Sequence, residues 1–131
     1  MTLIDSDFEV LDQLSYQIIG AAYKVHRELG PGLLESTYEV CLEYQLSISG
    51  LQTERQKILP VIYGSVQLDT GYRIDLLVES RIILEIKAVE EVIPVHRAQL
   101  MTYLKLSGLK LGLLLNFNVQ DMKKGINRIV L

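Results

Sequence analysis

The hydrophobic period of this sequence changes near Gly50, from the helical spacing of three and four to the spacing of two that belongs to strands. From Leu11 the apolar positions Leu14, Ile18, Ala21, Ala22, Val25 and Leu29 fall on one helical stripe, which Gly30-Pro31-Gly32 ends. A second helix is expected from about Leu33, with Leu34, Tyr38, Cys41, Leu42 and Leu46 on one side and Gly50 as its stop. Between Gln56 and Val89 four short runs read as strands: Ile58–Tyr63, Ser65–Leu68, Tyr72–Val78 and Ile82–Ala88. Pro60 marks an edge or a bulge. A third helix is expected from Pro94 to Gly108, and the apolar run Leu111–Phe117 suits a strand buried on both faces. A polar turn and a last strand, Ile126–Val130, complete the chain.

The expected fold class is α/β, in the order α-α-β-β-β-α-β with three or four strands before the third helix, forming a central mixed β-sheet flanked by helices. The passage from Ile82 through the helix to Phe117 is a right-handed crossover, so the strands at its two ends run parallel. At 131 residues, residues 1–131 form one domain. No apolar run is long enough to cross a bilayer. The acidic start Met1–Asp7 lacks the features of an export signal, which places the protein in the cytoplasm without a membrane partner. The lone Cys41 excludes an intrachain disulfide and a cysteine-based zinc site, and reads as a small core side chain.

Charge is divided unevenly. Residues 1–93 carry 7 basic and 15 acidic side chains, residues 94–131 carry 6 and 1. The basic third either lies along phosphates or is a solvated face. Within the apolar strands, Asp75, Glu85 and Lys87 require partners, because an unpaired charge in a low-dielectric interior costs several kcal/mol, to order of magnitude. A three-residue turn, Glu79-Ser80-Arg81, sets Val78 against Ile82, Leu77 against Ile83 and Asp75 against Glu85, the last pair with Cβ atoms about 5 Å apart. Two readings follow: a site for a hard divalent cation, or an ordinary ion cluster at a sheet margin. Glu35 sits in the first turn of the second helix, where the helix dipole alone favours an acid. Gln99 and Tyr103 share a face of the third helix with His96, as polar decoration or as donors aimed at a phosphate or base. There is no nucleophile elbow and no phosphate-binding Gly-rich loop, and His26 and His96 lack metal-ligand spacing.

Gly32-x-x-Glu35-x-x-Tyr38, Ile74-Asp75, Glu85-Ile86-Lys87 and Gln99-x-x-x-Tyr103, in this order, resemble the PD-(D/E)XK nuclease superfamily, and more closely its small GxxExxY branch. Arg97–Leu104 and Gly112–Phe117 also resemble that branch, so the similarity runs from about Leu14 to Phe117. Ile74 stands where the superfamily often has Pro. The resemblance implies a restriction-endonuclease-like core. It also implies a Mg²⁺ or Mn²⁺ site held by Asp75 and Glu85 with Glu35 as a further ligand, directly or through water, and a catalytic role for Lys87 at the attacking water and the phosphate. Gln99 and Tyr103 are substrate-binding by the same resemblance, and His96, one turn earlier on the same side of the helix, is grouped with them as a substrate-binding candidate. The function expected is metal-dependent hydrolysis of DNA phosphodiester bonds. The alternatives are a silent nuclease-fold module that binds nucleic acid or protein, and a metal-binding oligomerisation domain. A positive mean hydropathy is consistent with a homodimer.

Overall fold

The computed structural model describes residues 3–69 and 71–131, with side chains from Asp7 onward. Met1 and Thr2, the first residues of the acidic start Met1–Asp7, lie outside the described residues. Two helices, α1 (Leu3–Leu29) and α2 (Glu35–Ile48), precede five strands: β1 (Thr53–Ile58), β2 (Val61–Tyr63), β3 (Val66–Leu68), β4 (Arg73–Val78) and β5 (Ile82–Lys87). Helix α3 (Pro94–Ser107), strand β6 (Leu111–Asn116), a 3-10 turn (Met122–Gly125) and strand β7 (Ile126–Val130) follow. Five strands form one mixed sheet in the order β1-β4-β5-β6-β7, and β2-β3 is a separate hairpin. Among the described residues β5 and β6 run parallel, as the crossover through α3 requires, and the other pairs of this sheet are antiparallel. Among the described residues no helix is long and apolar enough to cross a membrane.

The sheet separates two apolar cores. Leu14, Ile18, Ala22 and Val25 of α1 and Tyr38, Leu42 and Leu46 of α2 pack on Leu76, Val78, Leu84 and Leu113. On the opposite face, Leu100 and Leu104 of α3 pack on Leu77, Ile83 and Leu114. Residues 111–117 are buried throughout, as a strand covered on both faces must be. Gly112 lies so close to Leu100 that an added Cβ would come within 2.7 Å of its side chain. His26 is structural: its Nε2 lies 2.6 Å from the Val119 carbonyl oxygen. Cys41 is half-buried against the α1–α2 core.

The structure differs from the sequence expectation chiefly before β4. The first strand of the main sheet is the polar segment Thr53–Ile58, whereas the expected Ile58–Tyr63 strand is broken at Leu59-Pro60. β1 is an edge strand with five exposed residues, so it carries no apolar alternation. Pro60 lacks an N–H to continue a ladder, and the chain turns there into the β2–β3 hairpin. Five strands rather than three or four therefore precede α3. Helix α1 begins well before Leu11, because residues 7–10 are exposed and leave no apolar stripe. Leu29 and Leu34 are exposed: they lie at and beyond helix ends, where the helical phase no longer points a side chain inward.

Candidate metal and nucleic-acid site

The β4–β5 hairpin pairs Val78 with Ile82, Leu77 with Ile83 and Leu76 with Leu84. Continuing that register sets Asp75 opposite Glu85, and there the side chains take over from the ladder. The Asp75 N–H donates to Glu85 Oε2 at 2.9 Å, and the Ile86 N–H donates to Asp75 Oδ2 at 2.8 Å. β4 also changes phase at this point. Ile74 belongs to the same core as Leu77, although strict alternation would put it with Leu76. Across the other edge of β4, the β1 register passes from Arg55↔Leu76 to Lys57↔Ile74, and the residue between them, Gln56, has φ +55. A left-handed conformation in a side-chain-bearing strand residue is backbone strain of about 1–3 kcal/mol, the kind that collects at functional sites.

Gln56 turns its amide inward from that kink. Its Nε2 donates to Glu39 Oε1 at 2.8 Å and to Asp75 Oδ1 at 3.3 Å. Glu39, on the buried side of α2, is also 3.6 Å from the Arg55 guanidinium. Neither Glu39 nor Gln56 was among the sequence candidates. Glu39 had a signal: it lies four residues after Glu35, between Tyr38 and Leu42 on the inward face, where an acid needs a partner. Gln56 had none, since nothing in its residue type announces a positive φ.

Electrostatics mark the same cluster. Burial, and then the charge of Asp75, push the Glu85 carboxyl up to about 8. Burial likewise raises Asp75, with Glu35 adding to the rise and the Ile86 N–H, Gln56 and Lys87 opposing it. Glu39 is raised by burial first and then by Asp75. These acids are poorly accommodated as a set of anions. Lys87, half-buried at the end of β5, makes no ion pair within 4.0 Å among the described residues.

Glu35 is exposed at the start of α2, with Oε1 accepting from the Ala88 N–H at 3.3 Å, directly after Lys87. Tyr38 is a brace. Its hydroxyl donates to the Gly30 carbonyl at 2.6 Å and accepts from the Leu33 N–H at 3.1 Å, while its ring stacks on Phe117 at 4.7 Å. It thereby fixes the corner from which α2 presents Glu35. Gly30 and Gly32, at φ +67 and +101, supply the backbone that this corner needs. Asn116, at the end of β6, holds the chain that leaves β5 by bonds in both directions with the Val89 backbone.

On α3, Gln99 Nε2 donates to the Tyr103 hydroxyl at 3.1 Å. Burial, followed by the charges of Glu85 and Asp75, raises the Tyr103 hydroxyl above its ordinary value, which puts that stretch of α3 within the field of the acids. His96 is turned to its own helix end: its Nδ1 accepts from the Ile93 N–H at 3.1 Å, capping α3.

The sequence model of the PD-(D/E)XK nuclease superfamily matches residues 12–129. The chain belongs to that superfamily. No curated protein and no solved structure matches this chain. Nucleases of the PD-(D/E)XK superfamily generally depend on a divalent metal, and membership suggests nucleic-acid binding. Among the described residues no three acid, His or Cys side chains converge as a ready metal cage. The donor set nevertheless suits a hard divalent ion, because Mg²⁺ binds through one or two carboxylates, with waters and phosphate completing its shell. Asp75 and Glu85 provide two, and their adverse burial as anions is the condition that such an ion relieves.

Proposed function

We propose that this chain, acting as one cytoplasmic domain, is a Mg²⁺- or Mn²⁺-dependent nuclease of the GxxExxY branch that hydrolyses phosphodiester bonds of DNA. The observation that carries the reading is the Asp75–Glu85 clasp: a buried and a half-buried carboxylate set across a broken ladder, beside a lysine that has no ion partner among the described residues. Asp75 and Glu85 would hold the ion, with Glu35 joining through water from the mouth of the site. The ion would supply charge stabilisation at the phosphate and lower the pKa of water.

The chain's own groups do the remainder. Lys87 places a positive charge where the attacking water and the phosphate oxygens meet, and stabilises negative charge developing there. Glu39 and Gln56 fix the direction of Asp75, as Gln56 bonds both acids at once. Gln99 and Tyr103 orient the strand from the α3 side. Leu76, Leu84 and Ile86 behind the clasp keep water out of the sheet.

A non-catalytic reading has one observation in its favour: each clasp carboxylate already has a backbone donor, so the arrangement can serve structure alone. Incubating single-stranded, duplex and branched DNA with Mg²⁺ or Mn²⁺ separates the two. Cleavage by the wild type that Lys87→Ala abolishes supports a nuclease. No cleavage of any substrate, or cleavage unchanged by that substitution, rejects this site. Calorimetric titration with Mn²⁺ should show binding that Asp75→Ala removes.

A further inference from the structure

Tyr103, which feels the charge of Glu85 and Asp75, also lines a cavity of about 370 Å³, of which the proposed chemistry uses only the Gln99 and Tyr103 side. One wall is α3, through Gln99, Thr102 and Tyr103; the other is Val61 and Leu68 of the β2–β3 hairpin, with Tyr72 at the foot of β4. The Tyr72 and Tyr103 rings meet edge to face, with centroids 6.4 Å apart and planes at 74°. The lining is mainly apolar, and its polar members are an amide, a hydroxyl and two phenols rather than charged groups. Tyr103 belongs to both places, since it lines the cavity and its hydroxyl lies within the field of Glu85 and Asp75.

That combination suits a flat, uncharged, hydrogen-bonding ring. A nucleobase offers a π-face to apolar and aromatic walls and an edge to an amide or a hydroxyl, whereas a phosphate would find no charge here and a sugar has no flat face to set against the rings. The position favours the same ligand, because Tyr103 joins the cavity to the acids, so that a base held here belongs to the strand whose phosphate lies at the proposed ion site. Bases in a duplex are stacked and paired, so only an unpaired or extruded base can enter. The hairpin that forms the outer wall is independent of the main sheet and exposes Ile62, Tyr63, Val66 and Leu68.

We infer that the cavity between α3 and the β2–β3 hairpin is a base-binding subsite, which makes the substrate a strand with an unpaired base next to the phosphate that is cut. The inference rests on the nuclease reading for the position of the phosphate, but its test does not require cleavage.

Binding of a fluorescent single-stranded oligonucleotide is measured by anisotropy in EDTA, against a duplex and an abasic strand of equal length. The single strand should bind about tenfold more tightly than either, the scale of one base–aromatic stacking contact. Tyr72→Ala should remove that advantage and leave abasic binding unchanged, and Tyr72→Phe should retain it. Leu68→Ala, on the exposed hairpin, should weaken binding in the same base-dependent way and guards against a folding artefact at Tyr72. Equal affinity for the three ligands, or base-dependent binding indifferent to both alanine substitutions, overturns the subsite. So does a result in which the substitutions leave DNA binding alone but convert a dimer to a monomer in sedimentation, which would make the cavity an interface between copies. Tyr72-dependent binding without cleavage under any metal would uphold the subsite and reject the nuclease reading. Lys87-dependent cleavage without a base preference would do the reverse.

Discussion

The two ends of the β4–β5 hairpin use the same two strands and close the space between them in opposite ways. At the turn end Val78, Leu77 and Leu76 face Ile82, Ile83 and Leu84, all buried, and the two cores press on them from either side. At the open end Asp75 and Glu85 stand in for the ladder, the strand changes phase, and Gln56 is held in a left-handed conformation opposite the break. Burial therefore stabilises one end and works against the charged form of the other. A chain selected only for stability would carry apolar residues at both ends, since replacing buried ionic groups by well-packed apolar ones is often neutral or stabilising. The acids, the strain and the kink occupy one place, which is the cost that the proposed metal site would account for.

The largest effect should follow from disabling the open end without unfolding it. Lys87→Ala or Asp75→Asn should lower the cleavage rate by at least about 100-fold, the scale for losing one group that stabilises developing charge. Single-turnover cleavage of a labelled oligonucleotide reads the loss. The melting temperature of the metal-free protein should change little, because neither substitution removes apolar packing.

Next in size is a contrast in stability within β5. Leu84→Ala, at a fully buried position, should cost about 2–5 kcal/mol. Glu85→Gln, at the next residue, should leave the metal-free protein as stable as the wild type or more so at neutral pH, because it keeps the shape while removing an acid that must take up a proton to be buried beside Asp75. Urea denaturation of both variants in EDTA tests the pair. A Glu85→Gln protein as crippled as Leu84→Ala would show that the clasp is a structural element.

How far the sequence reveals these ends follows from the same contrast. The turn end was legible: apolar alternation on both strands and a three-residue turn fix the register, and the Leu111–Phe117 run and the crossover make β6 parallel to β5. The opposition of Asp75 and Glu85 followed from that register. What sequence could not convey is how the open end is supported. β1 is a polar edge strand without alternation, so the element that carries Gln56 reads as a loop, and Gln56's conformation is imposed by its neighbours rather than by its own residue type. Glu39 was within reach of a stricter reading of helical phase. Capping of α3 by His96 depends on where the helix begins, which spacing alone places only to within a residue or two.

The acid end should also impose a pH dependence that the apolar end lacks. Glu85 titrates at about 8 when folded, above its ordinary carboxylate value, so between roughly pH 4.5 and 8 the folded state holds a proton that the unfolded state has lost. Stability of the metal-free protein should therefore fall as pH rises through that window, by at most about 1.4 kcal/mol per pH unit from this group. It is fully present below the unfolded value and lost above the folded one. Glu85→Gln should flatten the profile. Mn²⁺ should raise the wild-type melting temperature more at pH 8 than at pH 5, because the ion competes with that proton. Thermal melts at matched ionic strength, with EDTA or Mn²⁺, decide both points, and a profile that rises with pH in EDTA would mean that the pair is not buried as described.

The smallest effect belongs to the turn end, and its size relative to Gln56 is informative. Glu79 and Ser80 both have positive φ, 53° and 54°, with the Arg81 N–H closing the turn on the Val78 carbonyl at 3.0 Å. Ser80 is exposed, so its conformation can be relieved without disturbing a contact. Ser80→Gly should stabilise the protein by about 0.5–1 kcal/mol, the difference between the steric penalty of a left-handed Ser and the extra chain entropy of Gly. At Gln56 the same exchange relieves similar strain but removes the amide that joins Glu39 to Asp75. Gln56→Gly should therefore gain little stability and should weaken Mn²⁺ binding, whereas Ser80→Gly leaves Mn²⁺ affinity unchanged. If both substitutions raise stability equally and spare the ion, then the Gln56 kink is a feature of the sheet edge and takes no part in the site.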